Sequence, residues 1–296
     1  MRCLDGVADG ILADPRRCHF DPKVLQCPAG DAPTCLTAPQ VEALPQIYDG
    51  PGKKIYPGIL PGAEAGPGGW TAWITGTTPG VSLHLTLGIP FFKYFIFDDP
   101  NWDFHTLNFT TDVTFTDNKL VNGEPMASVI NAVDPDLRPF KRLGGKLIHY
   151  HGFSDPDITP VNSINYYESV VAEMRSHNGR HRDHDRDGRH GDGLEETQEF
   201  YRLFMVPRMQ HCSGGPGTDR FDAVTALEQW VEQGIAPDRI LASHITNGVV
   251  TMTRPLCPYP REAVYTGQDS TNDAANFVCR VRDREGRDED NDHDDD

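Results

Sequence analysis

The chain has 296 residues, 38% of them hydrophobic and 24% charged, enough apolar content for a packed core in one large domain or two medium ones. A formal net charge of −17 makes phosphate backbones and anionic lipid poor partners, so no nucleic acid and no membrane surface is expected at this protein. No stretch approaches the roughly 18 consecutive apolar residues that a membrane span needs, and no charged-then-apolar leader pattern opens the sequence.

Residues 1 to about 135 read as irregular. Gly/Pro turns (Pro51-Gly52, Pro57-Gly58, Pro61-Gly62, Pro67-Gly68-Gly69) alternate with short aromatic runs such as Phe91 to Phe97. Helix is expected only over Ala38 to Tyr48 and over Asp117 to Ala132. A lid folded over something else suits this stretch better than an independent sheet. Asp5, Asp9 and the glycines between them make an acidic, tightly turning loop. Alternating carboxylates and carbonyls at such spacing suit Ca²⁺, although solvated turn aspartates are the competing reading.

The pattern changes near Leu143. Lys146 to Tyr150 is a short apolar run behind glycines, as in a buried strand. Pro160 to Met174 reads as a helix with Ile164, Tyr167, Val171 and Met174 on one face. Phe200 to Val206 reads as a second buried strand. Phe221 to Gln233 reads as a second helix with Val224, Leu227, Trp230 and Val231 on one face. This β-α-β-α order argues for the end of a parallel α/β sheet. His177 to Gly193 holds only His, Asp, Arg, Gly and Asn, and 280–296 is dominated by Asp and Arg; both are expected to be disordered. The first, with four histidines and four aspartates, also offers a loose transition-metal site, but a solvated insertion is the favoured reading. Asn108-Phe109-Thr110 is a glycosylation sequon, relevant only to a eukaryotic secretory route.

Seven cysteines, none in a CxxC pair, point away from a thiolate zinc site. Their Pro/Gly/Asp-rich surroundings suggest a disulfide framework and hence a secreted or periplasmic setting. The odd count leaves at least one without a partner inside this chain. An oxidised framework without a leader is expected of a chain whose N-terminal portion is missing.

Two motifs carry chemistry. Asp155 follows the first core strand in Tyr150-His151-Gly152-Phe153-Ser154-Asp155. His211 follows the second in Met209-Gln210-His211-Cys212-Ser213-Gly214-Gly215. An acid and then a histidine at successive strand ends is the order of the last two members of an α/β-hydrolase triad. The acid would fix the imidazole tautomer and the histidine would act as general base. Asp157 is a nearby alternative acid, and a turn or cap role for Asp155 is the structural alternative. Ser213 is a poor nucleophile, lying two residues from the base with no strand-turn-helix elbow to present it.

With these residues the chain resembles the tannase and feruloyl esterase family, which includes mono(hydroxyethyl) terephthalate hydrolases. The marks are Leu4 to Ile11, Asp14 to Cys18, Gly144 to Leu147, His151 to Asp155, His211 to Gly215 and Thr253 to Pro260. The resemblance implies part of an α/β-hydrolase sheet, its last strands and helices at 136–279, with a large irregular, disulfide-stapled lid at 1–135. It implies Asp155 as acid, His211 as base, and Cys212 as one half of a disulfide to the cysteine of a Gly-x-Cys-Ser-x-Gly-Gly elbow. That elbow is absent from this sequence, so the nucleophile is expected to be missing and the chain alone to be inactive. The resemblance also implies pairs Cys27–Cys35 and Cys257–Cys279, and a structural Ca²⁺ held by Asp5 and Asp9 carboxylates with Val7 and Ile11 carbonyls. Arg2 stands where the family has a further aspartate. The expected substrate is a small ester of an aromatic acid. The alternative is an inactive remnant, a disulfide-stapled calcium-binding module.

Overall fold

Helix starts in the N-terminal part are written locally. In the computed structural model, which describes residues 7–52, 55–178 and 193–281, α1 (Ala38–Asp49) opens on a reciprocal cap between Thr37 and Gln40. Its inner face meets α2 (Trp70–Trp73) in a small core of Ile59, Ala63 and Trp70 flanked by Leu44, Ile47 and Tyr48. The aromatic run departs from the irregular form expected of it. α3 (Leu83–Pro90), capped by Ser82, continues straight into a π-helical turn at Phe91–Ile96. There Phe92, Phe97, Trp102 and Phe115 stack ring on ring at 5.3–6.0 Å.

The single helix expected over Asp117 to Ala132 is replaced by three elements. α4 (Thr111–Asn118) ends, a hairpin of β1 (Leu120–Val121) and β2 (Glu124–Pro125) follows, and α5 (Met126–Ile130) begins. Asn122 and Gly123 at the tip have φ of 54° and 90°, the left-handed geometry that Asn-Gly supplies in two-residue hairpins and that interrupts any helix.

After α6 (Arg138–Arg142), β3 (Leu147–Gly152) runs parallel to β4 (Tyr201–Val206), with Leu147 opposite Tyr201 and Gly152 opposite Val206. The crossover carries α7 (Pro160–Asn178) and α8 (Gly193–Gln198). β4 is packed on both faces, like the strands of a covered parallel sheet. Tyr201, Leu203 and Met205 pack on Ile164, Tyr167, Val170 and Met174 of α7. Phe204 and Val206 pack on the other side against Ile240, Ala242 and Leu256. Each fully buried large side chain contributes on the order of 2 kcal/mol, so β4 is the centre of the fold.

An antiparallel sheet follows: β5 (Arg220–Phe221), then α9 (Ala223–Gln233), β6 (Ile240–Thr246) and β7 (Val249–Leu256), in the order β5-β6-β7. β8 (Arg261–Tyr265) pairs with β9 (Phe277–Val281). Two expectations are corrected. α9 buries Trp230, with the cations of Lys146 and Arg202 each 5.4 Å from its ring centre, while Val224 and Val231 of its expected apolar face lie exposed. Arg280 and Val281, expected in the tail, complete β9 because pairing with β8 satisfies their backbone. The rest of that tail, and the insertion apart from the end of α7 and Gly193, lie outside the described residues. Cys27–Cys35 and Cys257–Cys279 are disulfide-bonded, the second tying β9 to the end of β7; Cys18 is also oxidised, and Cys212 is a free, exposed thiol.

Candidate active site

Both core strands stop at the same level and their loops are stitched together. The Phe153 N–H donates to the Val206 carbonyl and the Ser154 N–H to the Met209 carbonyl. Gly152 permits this approach: a Cβ there would stand 2.3 Å from the Met209 oxygen. The second loop folds back on itself, with Cys212, Gly214 and Gly215 all at positive φ and the Gln210 N–H donating to the Gly214 carbonyl. It therefore presents His211 toward the end of β3.

There the Asp155 carboxylate meets the imidazole. His211 Nδ1 lies 3.0 Å from Asp155 Oδ2. The Asp155 side chain is 4% exposed and accepts four hydrogen bonds. Oδ1 takes the backbone N–H groups of Asp157 and Ile158, at 2.8 and 3.0 Å. Oδ2 takes His211 and, at 3.2 Å, His151 Nε2. Burial alone raises a carboxyl pKa. Here the bonds from the two histidines and the two backbone groups outweigh it and hold Asp155 below the usual carboxylate range. The carboxylate is thus ionised, saturated and fixed, and it directs Nδ1–H of His211 toward itself. That leaves Nε2 as the basic atom.

Around Nε2 the N-terminal part contributes the walls. Trp73 sets its ring edge on the His211 imidazole, centroids 5.0 Å apart at 70°. His84 Nε2 lies 2.9 Å from Asp157 Oδ1, and the other oxygen of Asp157 is 3.9 Å from His211 Nε2. The two aspartates weighed as acids therefore face different nitrogens of one ring. Tyr56 Oη donates to the Asp157 carbonyl, and Gln210 Nε2 donates to the Ala65 carbonyl, pinning the two parts together. Among the described residues no serine or cysteine side chain hydrogen-bonds Nε2 of His211. Ser213 is tied into the turn by its N–H to the His211 carbonyl.

From the sequence, Trp73 stands with Trp70, Trp102 and the Phe91 to Phe97 run as lining for an aromatic pocket or, equally, as lid core packing, while His84 and His151 carry no assigned role. His151 carried a signal, since with His149 it occupies alternate positions of one strand and hence one face. His84 had none, and the place of Trp73 against His211 is purely tertiary.

The loop assigned to Ca²⁺ is described from Val7 onward, and Asp5 lies outside the described residues. Asp9 Oδ1 accepts the Ile11 N–H, and Oδ2 accepts from the buried guanidinium of Arg254 at 2.9 Å. A calcium ion needs six to eight oxygens. The described part of the loop offers one carboxylate, already held by a cation, and does not by itself fit that ion.

In fold this chain is similar to solved esterases. It superposes on the crystal structure of an esterase from Aspergillus oryzae with a TM-score of 0.73 at 28% identity, over 94% of this chain and 53% of that one. Feruloyl esterase B from the same organism gives 0.71 at 27% over the same 94% and 53%. The chain belongs to the tannase and feruloyl esterase family, which it matches over residues 2–280. Relatives include an uncharacterized esterase of Xanthomonas campestris pv. campestris, 46% identical over 93% of this chain and 51% of its own length. A mono(2-hydroxyethyl) terephthalate hydrolase of Piscinibacter sakaiensis is 34% identical over 93% of this chain and 49% of its own. The chain spans about half the length of the relatives it matches.

Proposed function

We propose that this chain supplies the acid and the base of a Ser-His-Asp carboxylic ester hydrolase acting on esters of aromatic acids. The observation that carries the reading is the 3.0 Å bond from His211 Nδ1 to an Asp155 carboxylate otherwise filled by three other donors. His211 Nε2 would take the proton of a serine hydroxyl as it attacks the ester carbonyl, then return that proton to the leaving alcohol. Asp155 fixes the tautomer and stabilises the imidazolium between those steps. The serine and its oxyanion hole belong to a Gly-x-Cys-Ser-x-Gly-Gly elbow that these 296 residues do not contain. The free thiol of Cys212, one residue from the base, would bond the elbow cysteine.

In this reading 1–135 is the lid and 136–279 the C-terminal part of the catalytic core. The names of the relatives and the indole of Trp73 beside His211 favour an aromatic acyl group. A secreted or periplasmic setting is supported by the oxidised cysteines, and no described helix is long and apolar enough to cross a membrane.

The test is complementation. The chain alone is expected to leave methyl ferulate intact. Refolding it with the part of the Xanthomonas relative that this chain does not match, expected to carry the elbow, should give turnover that His211→Ala abolishes. Turnover by the chain alone that Ser213→Ala removes would overturn the assignment.

A further inference from the structure

From Asp155 Oδ2, the oxygen that also meets His211, four polar side chains form an unbroken line into the core. His151 Nε2 lies 3.2 Å from Asp155 Oδ2 and 3.0 Å from the Ile158 carbonyl. His151 Nδ1 lies 2.6 Å from Ser163 Oγ. Ser163 Oγ lies 3.1 Å from His149 Nε2, and His149 Nδ1 lies 2.8 Å from Tyr201 Oη. Ser163 is buried and Tyr201 wholly so. The ester chemistry proposed above uses none of the four.

The donor at every link follows by elimination. A carboxylate and a carbonyl only accept, so His151 Nε2 carries a proton and shares it between Asp155 and Ile158. If the ring is neutral, Nδ1 is then an acceptor and the Ser163 hydroxyl donates to it. The Ser163 proton being spent, its oxygen accepts from His149 Nε2–H. Burial first, and the neighbouring His151 second, depress the His149 pKa to about 4, so that ring is neutral and its Nδ1 accepts from Tyr201 Oη–H. The opposite polarity needs a doubly protonated His151. It would turn around every link from His151 Nδ1 to Tyr201 and leave the Tyr201 hydroxyl proton with no acceptor among the described residues, deep in the core. An unmet buried donor costs about 1–3 kcal/mol, which selects the first polarity.

We propose that His151, oriented by Ser163, His149 and Tyr201, is a positioning residue of the triad: locked as the neutral Nε2–H tautomer, it gives Asp155 Oδ2 its second hydrogen bond and keeps that carboxylate ionised and aimed at His211. All four donors point the same way, toward the acid. The inference rests on reading Asp155 and His211 as acid and base, but its own signature, the tautomer of His151, is independent of turnover.

Long-range ¹H–¹⁵N correlation spectra of the full chain labelled with ¹⁵N-histidine at pH 7 test it. His149 and His151 are expected as Nε2–H tautomers and His211 as the Nδ1–H tautomer, with a downfield Nδ1 proton. Removing one donor from Oδ2 makes it a stronger acceptor for the other. His151→Leu should therefore move the His211 Nδ1 proton further downfield, and His151→Gln, whose amide N–H reaches the same place, should bring it back. Ser163→Ala, in a chain less prone to misfold than the leucine variant, should leave His151 the Nε2–H tautomer that Asp155 and Ile158 impose, with its Nδ1 resonance shifted by the loss of the Ser163 donor. An Nδ1–H tautomer at His151, or a His211 proton equally displaced by Leu and Gln, would overturn the proposal. A His211 without any downfield Nδ1 proton alongside an Nε2–H His151 would instead overturn the reading of the acid and base.

Discussion

The indole of Trp73 and the imidazole of His211 come from residues 138 positions apart and meet edge to face, centroids 5.0 Å apart. Such a contact is worth about 0.5–1.5 kcal/mol, and an aromatic acyl group arriving at His211 would meet the same indole. In the complemented enzyme, Trp73→Ala is expected to raise KM for methyl ferulate about 2- to 10-fold, in line with that energy, while Trp73→Phe keeps most of the affinity. Steady-state kinetics on the two variants check it. An unchanged KM in Trp73→Ala would place the acyl group elsewhere.

The Cys212 thiol is exposed, and its neighbours in the loop are the base on one side and Ser213 on the other. Brief iodoacetamide treatment of the native chain, followed by peptide mapping, is expected to label Cys212 and to spare Cys18, Cys27, Cys35, Cys257 and Cys279, which are oxidised. Once the chain is complemented by an elbow-bearing half, the label at Cys212 should disappear.

Arg254 spans 245 residues to reach Asp9, and both side chains are 5% exposed. The guanidinium also lies over the Phe277 ring at 3.7 Å. Removing one partner strands the other in the core, so Arg254→Gln is expected to cost about 3–5 kcal/mol in urea unfolding. The same change frees an Asp9 oxygen. Millimolar CaCl₂ should therefore raise the Tm of Arg254→Gln more than that of the parent chain, measured side by side by scanning calorimetry.

What could be read from the sequence divides by range. The parallel strands, α7 and the Asp155/His211 pair were legible because apolar runs behind glycines and a fixed residue order are local signals. The hairpin at Asn122-Gly123 was equally local, but the apolar positions around it imitate a helical period. The exposed Val224 and Val231 show the reverse failure: helical spacing names a face without saying whether anything covers it. Trp73, His84 and the Tyr201 end of the relay needed the folded chain, since nothing in their own neighbourhoods marks what they touch 50 or more positions away.

His149 makes the stability of the chain depend on pH in a defined window. Its ring is neutral in the folded state with a pKa of about 4, whereas an unfolded histidine titrates near 6.5. Between those values the unfolded chain binds a proton that the folded chain refuses, so stability rises with pH there and is lost as pH falls from about 6.5 toward 4. The full difference, roughly 2.5 pH units, corresponds to about 3 kcal/mol. His149→Gln keeps a donor toward Ser163 and an oxygen toward Tyr201 but does not titrate. Urea midpoints of the two proteins should therefore lie closer together at pH 4.5 than at pH 7, with the parent losing more. Parallel lines across the window would mean that His149 takes up its proton inside the fold, and its link to Tyr201 would then turn round, with Nδ1–H donating to the phenol oxygen.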